Sequence, residues 1–389
     1  MNKIKIGFDG RHFLGSGGID RYSRELLKAL VHIYPEYDFN LFTIRRKEKL
    51  FYPLFPQTNN IHIKAGFLHH FMLGNQVEPL LRYINNTYFF QKSMSNCDLY
   101  HCTNPFFYCQ TTTPSVITIH DVFPFYEEEW TRNFLGKNTD RIRNIFYRGI
   151  HDSRAIITPT YTVKKELLEY IPDIAAEKVF VTYEAGDFTP INDVSLLQQY
   201  NIKSSDTYFF HVGRFDPRKN LLGILDAFAL LRDSLPQTER DSLRFVYAGK
   251  VGKEDESTFQ KKIQELNLGD SFLYIHGAND MVISTLFMNA QGFVFPSYAE
   301  GFGLPVLEAM HCGCPVITSN TSCLPEIAGD AALYVNPYDI HDIAHAMNQL
   351  LHNNSLRAEL QQKGYIQTAK FSWKRCAQET HQAYQFALR

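Results

Sequence analysis

Short apolar runs alternate with longer stretches of helical periodicity along this chain, and the alternation runs through it twice. In the first half the pattern predicts strands at Ile4–Phe8, Phe39–Ile44, Leu99–His101, Ser115–His120, Ala155–Thr158 and Val179–Thr182. Between the first two, Tyr22, Leu26, Leu27, Leu30 and Ile33 fall on one face of a helix over Arg21–Ile33. The second half restarts with strands at Tyr208–Val212, Leu243–Ala248, Phe272–His276, Gly292–Phe295, Pro315–Thr318 and Ala332–Val335. Strands alternating with helices signify parallel sheets with crossover helices. The pattern therefore predicts an α/β protein with two doubly wound, Rossmann-like domains, at residues 1–187 and 207–370. The segment 188–206, rich in Asn, Asp, Pro, Ser and Gln around one short helix, reads as a linker. Residues 371–389 read as an amphipathic helix that crosses back to the first domain.

Length agrees with two domains, since 389 residues exceed what one ordinary core supports. Hydrophobic residues at 44% and charged ones at 21% describe a globular chain. A formal charge of −2 gives no global attraction to nucleic acid, so an anionic ligand must be held by a local set of donors. Seven cysteines, odd in number and with no signal peptide ahead of them, fit reduced thiols in a cytoplasmic protein. No run approaches the roughly 20 apolar residues that a spanning helix needs.

Candidate chemistry concentrates at predicted strand ends. The run Glu300-Gly-Phe-Gly-Leu-Pro-Val-Leu-Glu308 reads as a flexible turn, Gly301-Phe302-Gly303, opening a helix at Leu304 with a proline in its first turn. Backbone N–H groups and the positive end of the helix dipole can converge there on an anion. Glu300 and Glu308 can accept charge-assisted hydrogen bonds from ribose or hexose hydroxyls. The same run also fits a plain glycine-proline helix entry with two solvated glutamates. Gly213-Arg214-Phe-Asp-Pro-Arg-Lys219 follows the first strand of the second half, where doubly wound folds bind ligands. Arg214 and Lys219 suit a diphosphate; the alternative is a basic surface turn.

In the first half, Gly15-Ser-Gly17-Gly18 precedes the first helix without the spacing of a dinucleotide fingerprint or a Walker loop. It reads equally as a flexible turn or as a loop closing over phosphate. His120-Asp121 ends a strand, so His120 is a candidate to hydrogen-bond a sugar hydroxyl or leaving phosphate with Asp121 orienting it; a structural pair is the alternative. His101-Cys102, Cys109, His311 and Cys312-Gly-Cys314 lack metal-ligand spacing, and the cysteines read as buried thiols. The apolar stretches Phe51–Phe55 and Phe67–Leu73, the latter with His69-His70, read as core or as a surface that touches membrane or a lipid-linked acceptor.

Together these motifs resemble glycosyltransferase family four, retaining enzymes of the GT-B architecture in which two Rossmann-like domains face a deep cleft. The Glu-x7-Glu pattern at Glu300 and Glu308, with Phe293-Val-Phe-Pro-Ser297 before it and Ala309-Met-His-Cys-Gly-Cys-Pro-Val316 after it, carries the resemblance. The resemblance implies donor diphosphate contacts from Gly213, Arg214 and Lys219, and from the turn Gly301, Phe302, Gly303 and Leu304. It implies that Glu300 meets the transferred sugar, Glu308 the ribose, Gly249 and Lys250 the nucleoside, and Asn279 the base. Gly17, Gly18 and His120 would contribute from the first domain.

It further implies metal-independent transfer of a hexose, with no cofactor, from a GDP-sugar or UDP-sugar to a glycan or lipid-linked acceptor. The leaving diphosphate would draw the acceptor proton, so no protein nucleophile is required. Gly-Gly-Ile-x-Arg-Tyr at Gly17–Tyr22 is similar to mannosyltransferases of surface polysaccharide assembly. Placement is implied in the cytoplasm, at the inner face of the membrane where the first domain touches it. Rival readings are a synthase or nucleotide-sugar epimerase on the same fold, a non-catalytic binding subunit, and a nicotinamide-dependent oxidoreductase. The last calls for a full glycine fingerprint that the sequence lacks.

Overall fold

The computed structural model describes residues 3–15, 17–55, 58–67, 88–128, 131, 139–186 and 189–389. The chain divides into two compact units. The first spans Met1–Glu128, Leu135–Glu184 and Trp373–Arg389; the second spans Ala185–Ser372 with Glu129–Phe134.

The first unit is built on a seven-stranded sheet. Its strands are β1 (Ile4–Asp9), β2 (Tyr37–Ile44), β3 (Ile61–Phe67), β4 (Leu99–Cys102), β5 (Ser115–Thr118), β6 (Ala155–Thr158) and β7 (Val179–Val181). They are ordered β3-β2-β1-β4-β5-β6-β7 and pair in parallel throughout. The order reverses between β1 and β4, where doubly wound sheets gather ligands at the carboxyl ends of their strands.

The first crossover helix, Gly18–Ile33, buries Tyr22, Leu26, Leu27 and Leu30, the face that its periodicity predicts. Strand β3 was not among the predicted strands. Its sequence Ile-His-Ile-Lys-Ala alternates apolar and polar residues, as an edge strand pairing on one side does. In Phe51–Phe55, a 3-10 turn over Tyr52–Leu54 sends Phe51 and Phe55 inward and leaves Tyr52 exposed. Of Phe67–Leu73, Phe67 ends β3; the remainder, with His69 and His70, lies outside the described residues.

The final helix, Trp373–Ala387, belongs to this first unit and packs on the helix Gly18–Ile33 and on β5, β6 and β7. Trp373, Cys376, Ala377, Thr380, Ala383, Tyr384 and Ala387 are buried along one stripe at helical spacing. Each fully buried large side chain in such a stripe contributes about 1.5–3 kcal/mol. The Tyr384 hydroxyl meets Nδ1 of the buried His101 at 2.7 Å, which pins the helix to β4.

The second unit has six strands: β8 (Thr207–Arg214), β9 (Leu243–Lys250), β10 (Phe272–His276), β11 (Gly292–Phe295), β12 (Val316–Ser319) and β13 (Ala332–Val335). They are ordered β10-β9-β8-β11-β12-β13, again parallel, with the reversal between β8 and β11. The core joins Phe209, Phe245 and Val294 of the sheet to Ile224 and Phe228 of the helix Leu221–Ser234 and to Met347 of the helix Ile340–His352. Residues 189–206, read from sequence as linker, are fastened to this unit. The Ile191 N–H donates to Ser284 Oγ at 2.7 Å, and the Asp193 N–H to Thr285 Oγ1 at 3.1 Å. All seven cysteines are unpaired and buried.

Candidate functional site

In the second unit the reversal brings together the loops that follow β8 and β11. Strand β8 ends at Gly213-Arg214, and Asp216, itself buried, turns the chain by accepting from the Arg218 N–H at 3.0 Å at the start of a 3-10 turn, Pro217–Lys219. Asn220 then takes a left-handed conformation, φ 56°, and opens the helix Leu221–Ser234. Its Nδ2 donates to the carbonyls of Pro296 at 3.3 Å and Pro337 at 2.7 Å, and its Oδ1 accepts from the Tyr298 hydroxyl at 2.8 Å. The Tyr298 N–H donates to the Arg218 carbonyl at 2.8 Å. Basic turn and glutamate loop are thereby one hydrogen-bonded assembly.

Lys219 folds back over Gly213. A Cβ on Gly213 would lie 2.9 Å from Lys219 Nζ, and the residue's φ of 147° also favours glycine. The ammonium lies 4.9 Å from the centre of the Phe295 ring, a cation–π contact that holds it at the end of β11. Arg214 is 62% exposed and 3.8 Å from Asp216, so its fork reaches solvent from an anchored base. Gly213 and Gly249 are in register across β8 and β9, and a Cβ on Gly249 would meet the Gly213 carbonyl directly. The Tyr247 hydroxyl donates to that same carbonyl at 2.9 Å. Lys250 is exposed, and its carbonyl accepts from the Phe215 N–H at 2.9 Å.

Glu300 is nearly buried, with 11% of its side chain exposed, and Oε2 lies 3.7 Å from Arg218 Nη1. Arg218 also meets Asp216 at 3.3 Å, so one guanidinium links the two loops. Sequence reasoning singled out Arg214 and Lys219 and passed over Arg218, the basic residue that pairs with Glu300. Nothing in the linear order tells which of three basic residues in six points inward. The Ser322 side chain clamps the Glu300 backbone, accepting from its N–H at 3.1 Å and donating to its carbonyl at 2.7 Å. Glu300 Oε1 and the neighbouring Ser297 Oγ are buried with no hydrogen-bond partner among the described residues. Buried polar atoms left so carry a cost of about 1–3 kcal/mol each.

Gly303, at φ 92°, opens the helix Leu304–His311, with Pro305 in its first turn. No side chain caps this start among the described residues, and its first turn carries no acid. Pro305 has no N–H and the Val306 N–H donates to the Gly303 carbonyl at 2.9 Å, so what this start offers is the partial positive charge of the helix dipole with no side chain or acid set against it in the first turn. Glu308 is buried on the same helix, and Gly301 and Phe302 are buried in the turn, with Phe302 edge-on to Phe371 at 5.9 Å. Asn279 caps the helix Asp280–Asn289, its Oδ1 accepting from the Val282 N–H at 3.0 Å. His211, behind the basic turn, has its Nδ1 2.8 Å from the Val294 carbonyl, and burial pushes its pKa down to about 3.

In the first unit, His120 lies two residues beyond the end of β5. The residue that orients it is not the adjacent Asp121. Asp121 Oδ1 accepts from the Phe123 N–H at 3.3 Å, while His120 Nδ1 meets Glu184 Oε1 at 3.2 Å. His120 Nε2 meets the Thr103 carbonyl at 2.9 Å, and the Tyr22 ring stands edge-on at 4.7 Å. Glu184 comes from the chain beyond β7, 64 residues from His120, and no short motif could reveal it. His12, after β1, places Nε2 3.0 Å from Ser23 Oγ and 3.3 Å from Thr103 Oγ1, joining the same network; burial lowers its pKa to about 4.

Gly17 caps the first helix, and its N–H donates to Asp20 Oδ2 at 3.0 Å, so a carboxylate of the chain already stands beside Gly17 and Gly18. Arg24 holds the loop by donating to the carbonyls of Phe13 at 2.6 Å and Gly15 at 2.7 Å.

Two doubly wound parallel sheets, each with polar loops gathered where its strand order reverses, define a Rossmann-like α/β protein. Two family models match the chain, Glycosyltransferase Family 4 over residues 16–187 and Glycosyl transferases group 1 over residues 195–367. The O-antigen chain mannosyltransferase B of Escherichia coli is 30% identical over 295 residues, covering 74% of each protein. Among solved structures, sucrose-phosphate synthase from Thermosynechococcus elongatus is similar with a TM-score of 0.76 at 18% identity over 98% of each chain. Anabaena Alr3699/HepE in complex with UDP and glucose gives 0.73 at 16% identity over 98% of this chain and 99% of that one. The chain belongs to glycosyltransferase family 4, and it is a glycosyltransferase of the GT-B fold.

Proposed function

We propose that this chain is a retaining, metal-independent transferase that moves a hexose, mannose before glucose, from a GDP- or UDP-linked donor to a hydroxyl of a glycan or lipid-linked glycan in polysaccharide assembly. The observation that carries the reading is the second unit's arrangement: Lys219 and Arg214 at the end of β8, the uncapped helix start at Gly303, and Glu300 with a buried, unpartnered Oε1. The helix start and the two basic side chains take the diphosphate and stabilise it as it leaves. Glu300 Oε1 takes a sugar hydroxyl and Glu308 the ribose.

Gly249 and Lys250 line the nucleoside side, and Asn279, beyond its capping bond, approaches the base. In the first unit, Gly17, Gly18 and His120 are the candidates for phosphate and sugar contact. The diphosphate draws the acceptor proton while the acceptor attacks the face it is leaving, so the two glutamates need not have the separations of hydrolase carboxylates. Mannose and polysaccharide assembly draw support from the relative named an O-antigen chain mannosyltransferase, and a uridine donor from the neighbour that holds UDP and glucose.

Thermal-shift screening against GDP-mannose, UDP-glucose and ADP-glucose tests the donor. Saturation at 100 times the dissociation constant stabilises by about 2.7 kcal/mol, and silence toward all three refutes the reading. NMR of the product from the responding donor, with methyl α-mannoside as probe acceptor, reads the anomeric outcome; a β-linked product removes the retaining mechanism. Loss of turnover in EDTA removes metal independence. Contact with a membrane through the first unit is supported by Leu50 and Tyr52, 56% and 55% exposed, next to Arg45, Arg46, Lys47 and Lys49. No co-sedimentation with anionic vesicles at low salt refutes it.

A further inference from the structure

His120 has both ring nitrogens engaged, and the identity of the two partners dictates its protonation. The group facing Nε2 is the carbonyl of Thr103 at 2.9 Å, which can only accept, so Nε2 carries a hydrogen. The group facing Nδ1 is the carboxylate of Glu184 at 3.2 Å, which accepts when ionised, so Nδ1 carries a hydrogen as well. A ring that donates from both positions is an imidazolium. His120 and Glu184 are 9% and 5% exposed at their side chains, so each charge is desolvated and the other neutralises it.

The pairing differs from a hydrolase triad, where a carboxylate at Nδ1 leaves an Nε2 lone pair to act as a base. A carbonyl opposite Nε2 repels that lone pair. The pKa of His120 is raised above the ordinary histidine value: burial works against the charge, and the hydrogen bond and charge of Glu184 outweigh it.

Among the described residues, the titratable groups around the pair either favour the charged ring or stay neutral. Asp121 on the same segment favours the charged ring, as Glu184 does. The ring of Tyr22 of the first helix stands T-shaped to that of His120, and its hydroxyl pairs with Thr118 at 3.1 Å. Asp20 of that helix accepts from the Gly17 N–H. His12 after β1 and His101 of β4 both have pKa values lowered by burial, with the charge of His120 lowering them further, so they stay neutral beside it. Cys376 on the last helix has its thiol pKa pushed up by burial and by Glu184, and it stays neutral too.

We propose that Glu184 is a positioning residue that keeps His120 as an imidazolium, so that His120 meets its ligand as a hydrogen-bond donor to a sugar or phosphate oxygen and never as a general base. An incoming oxygen competes with the Thr103 carbonyl for the Nε2–H. The role of Glu184 in transfer rests on the transferase reading above; the protonation state of the pair does not.

The test uses the full chain labelled with 15N-histidine, with the His120 ring signals assigned by their loss in His120→Asn. At pH 7.5 the His120 ring is expected to show two protonated nitrogens while His12 and His101 show neutral rings. A neutral His120 ring in the unsubstituted protein overturns the proposal. In Glu184→Gln the His120 titration is expected at least one pH unit lower, and the alkaline limb of kcat/KM, with whichever donor supports turnover, moves by the same amount. Glu184→Asp restores part of the shift. An unmoved limb in Glu184→Gln overturns the positioning role, and if that variant fails to fold, the ring titration of the unsubstituted protein decides. Wild-type turnover by His120→Ala overturns instead the place of His120 in the transferase reading, while the ring spectrum still decides the protonation of the pair.

Discussion

Replacing Gly249 with alanine isolates the packing that sets the basic turn. The added Cβ would meet the Gly213 carbonyl, with Tyr247 Oη at 2.5 Å and Cζ at 2.7 Å behind it. The carbonyl is backbone, and the tyrosine hydroxyl is hydrogen-bonded to that same carbonyl, so neither can swing away cheaply. The ends of β8 and β9 must separate, and Gly213 with Lys219 must shift. Overpacking of this kind costs about 1–3 kcal/mol. At about 2–4 °C per kcal/mol for a unit of this size, the expected fall in Tm is roughly 2–12 °C. Turnover should suffer more, because a displacement of about 1 Å in a phosphate-holding group costs on the order of 100-fold. Differential scanning fluorimetry and kcat/KM for the donor read the two effects. Gly252→Ala is the control, since its Cβ meets chiefly the ends of the Glu254 and Asp255 side chains. A Tm within about 1 °C and an unchanged kcat/KM for Gly249→Ala would refute the reasoning.

Lys219→Ala should abolish measurable transfer while far-UV circular dichroism and Tm stay near wild type, because Lys219 contributes one partly exposed cation and a ring contact; a fully active variant removes the diphosphate clamp. Asn220→Ala loses the bonds to Pro296, Pro337 and Tyr298 and leaves buried carbonyls unpaired, a loss of about 1–3 kcal/mol in urea unfolding; Asn220→Gly, which keeps the backbone conformation, should lose nearly as much.

Acid should weaken both units. His12, His101 and His211 have folded-state pKa values near 4, 3 and 3, below the unfolded value of about 6.5, so the unfolded chain binds more protons. Their contribution is complete above pH 6.5 and falls by about 1.4 kcal/mol per histidine per pH unit below it. His120 has the opposite sign, its raised pKa adding stability below pH 6.5 that disappears as pH rises through its folded value. Denaturant midpoints measured from pH 4.5 to 9 check both, and a flat profile between pH 4.5 and 6.5 contradicts the buried neutral histidines.

The sequence alone determined the architecture of this glycosyltransferase and pointed to the loops after β8 and β11 as candidate chemistry. Burial on both faces of a parallel sheet forces continuous apolar runs, so the interior strands β6 and β11 could be read to the residue; the edge strands β10 and β13 were legible because they too are runs of apolar and aromatic residues, whereas the edge strand β3, which alternates with His62 and Lys64, escaped notice. Glycine and proline mark local backbone demands, so the turn before Leu304 was legible, whereas the close approach of Lys219 over Gly213 was not.

What the tertiary structure decided is which side chains meet the candidate residues: Arg218 as the partner of Glu300, Ser322 as the clamp on its backbone, Glu184 as the partner of His120, and Asn220 as the tie between two loops. The reach of a local pattern is a few residues. These pairings span 22 to 117 positions and exist because parallel strands far apart in sequence end side by side.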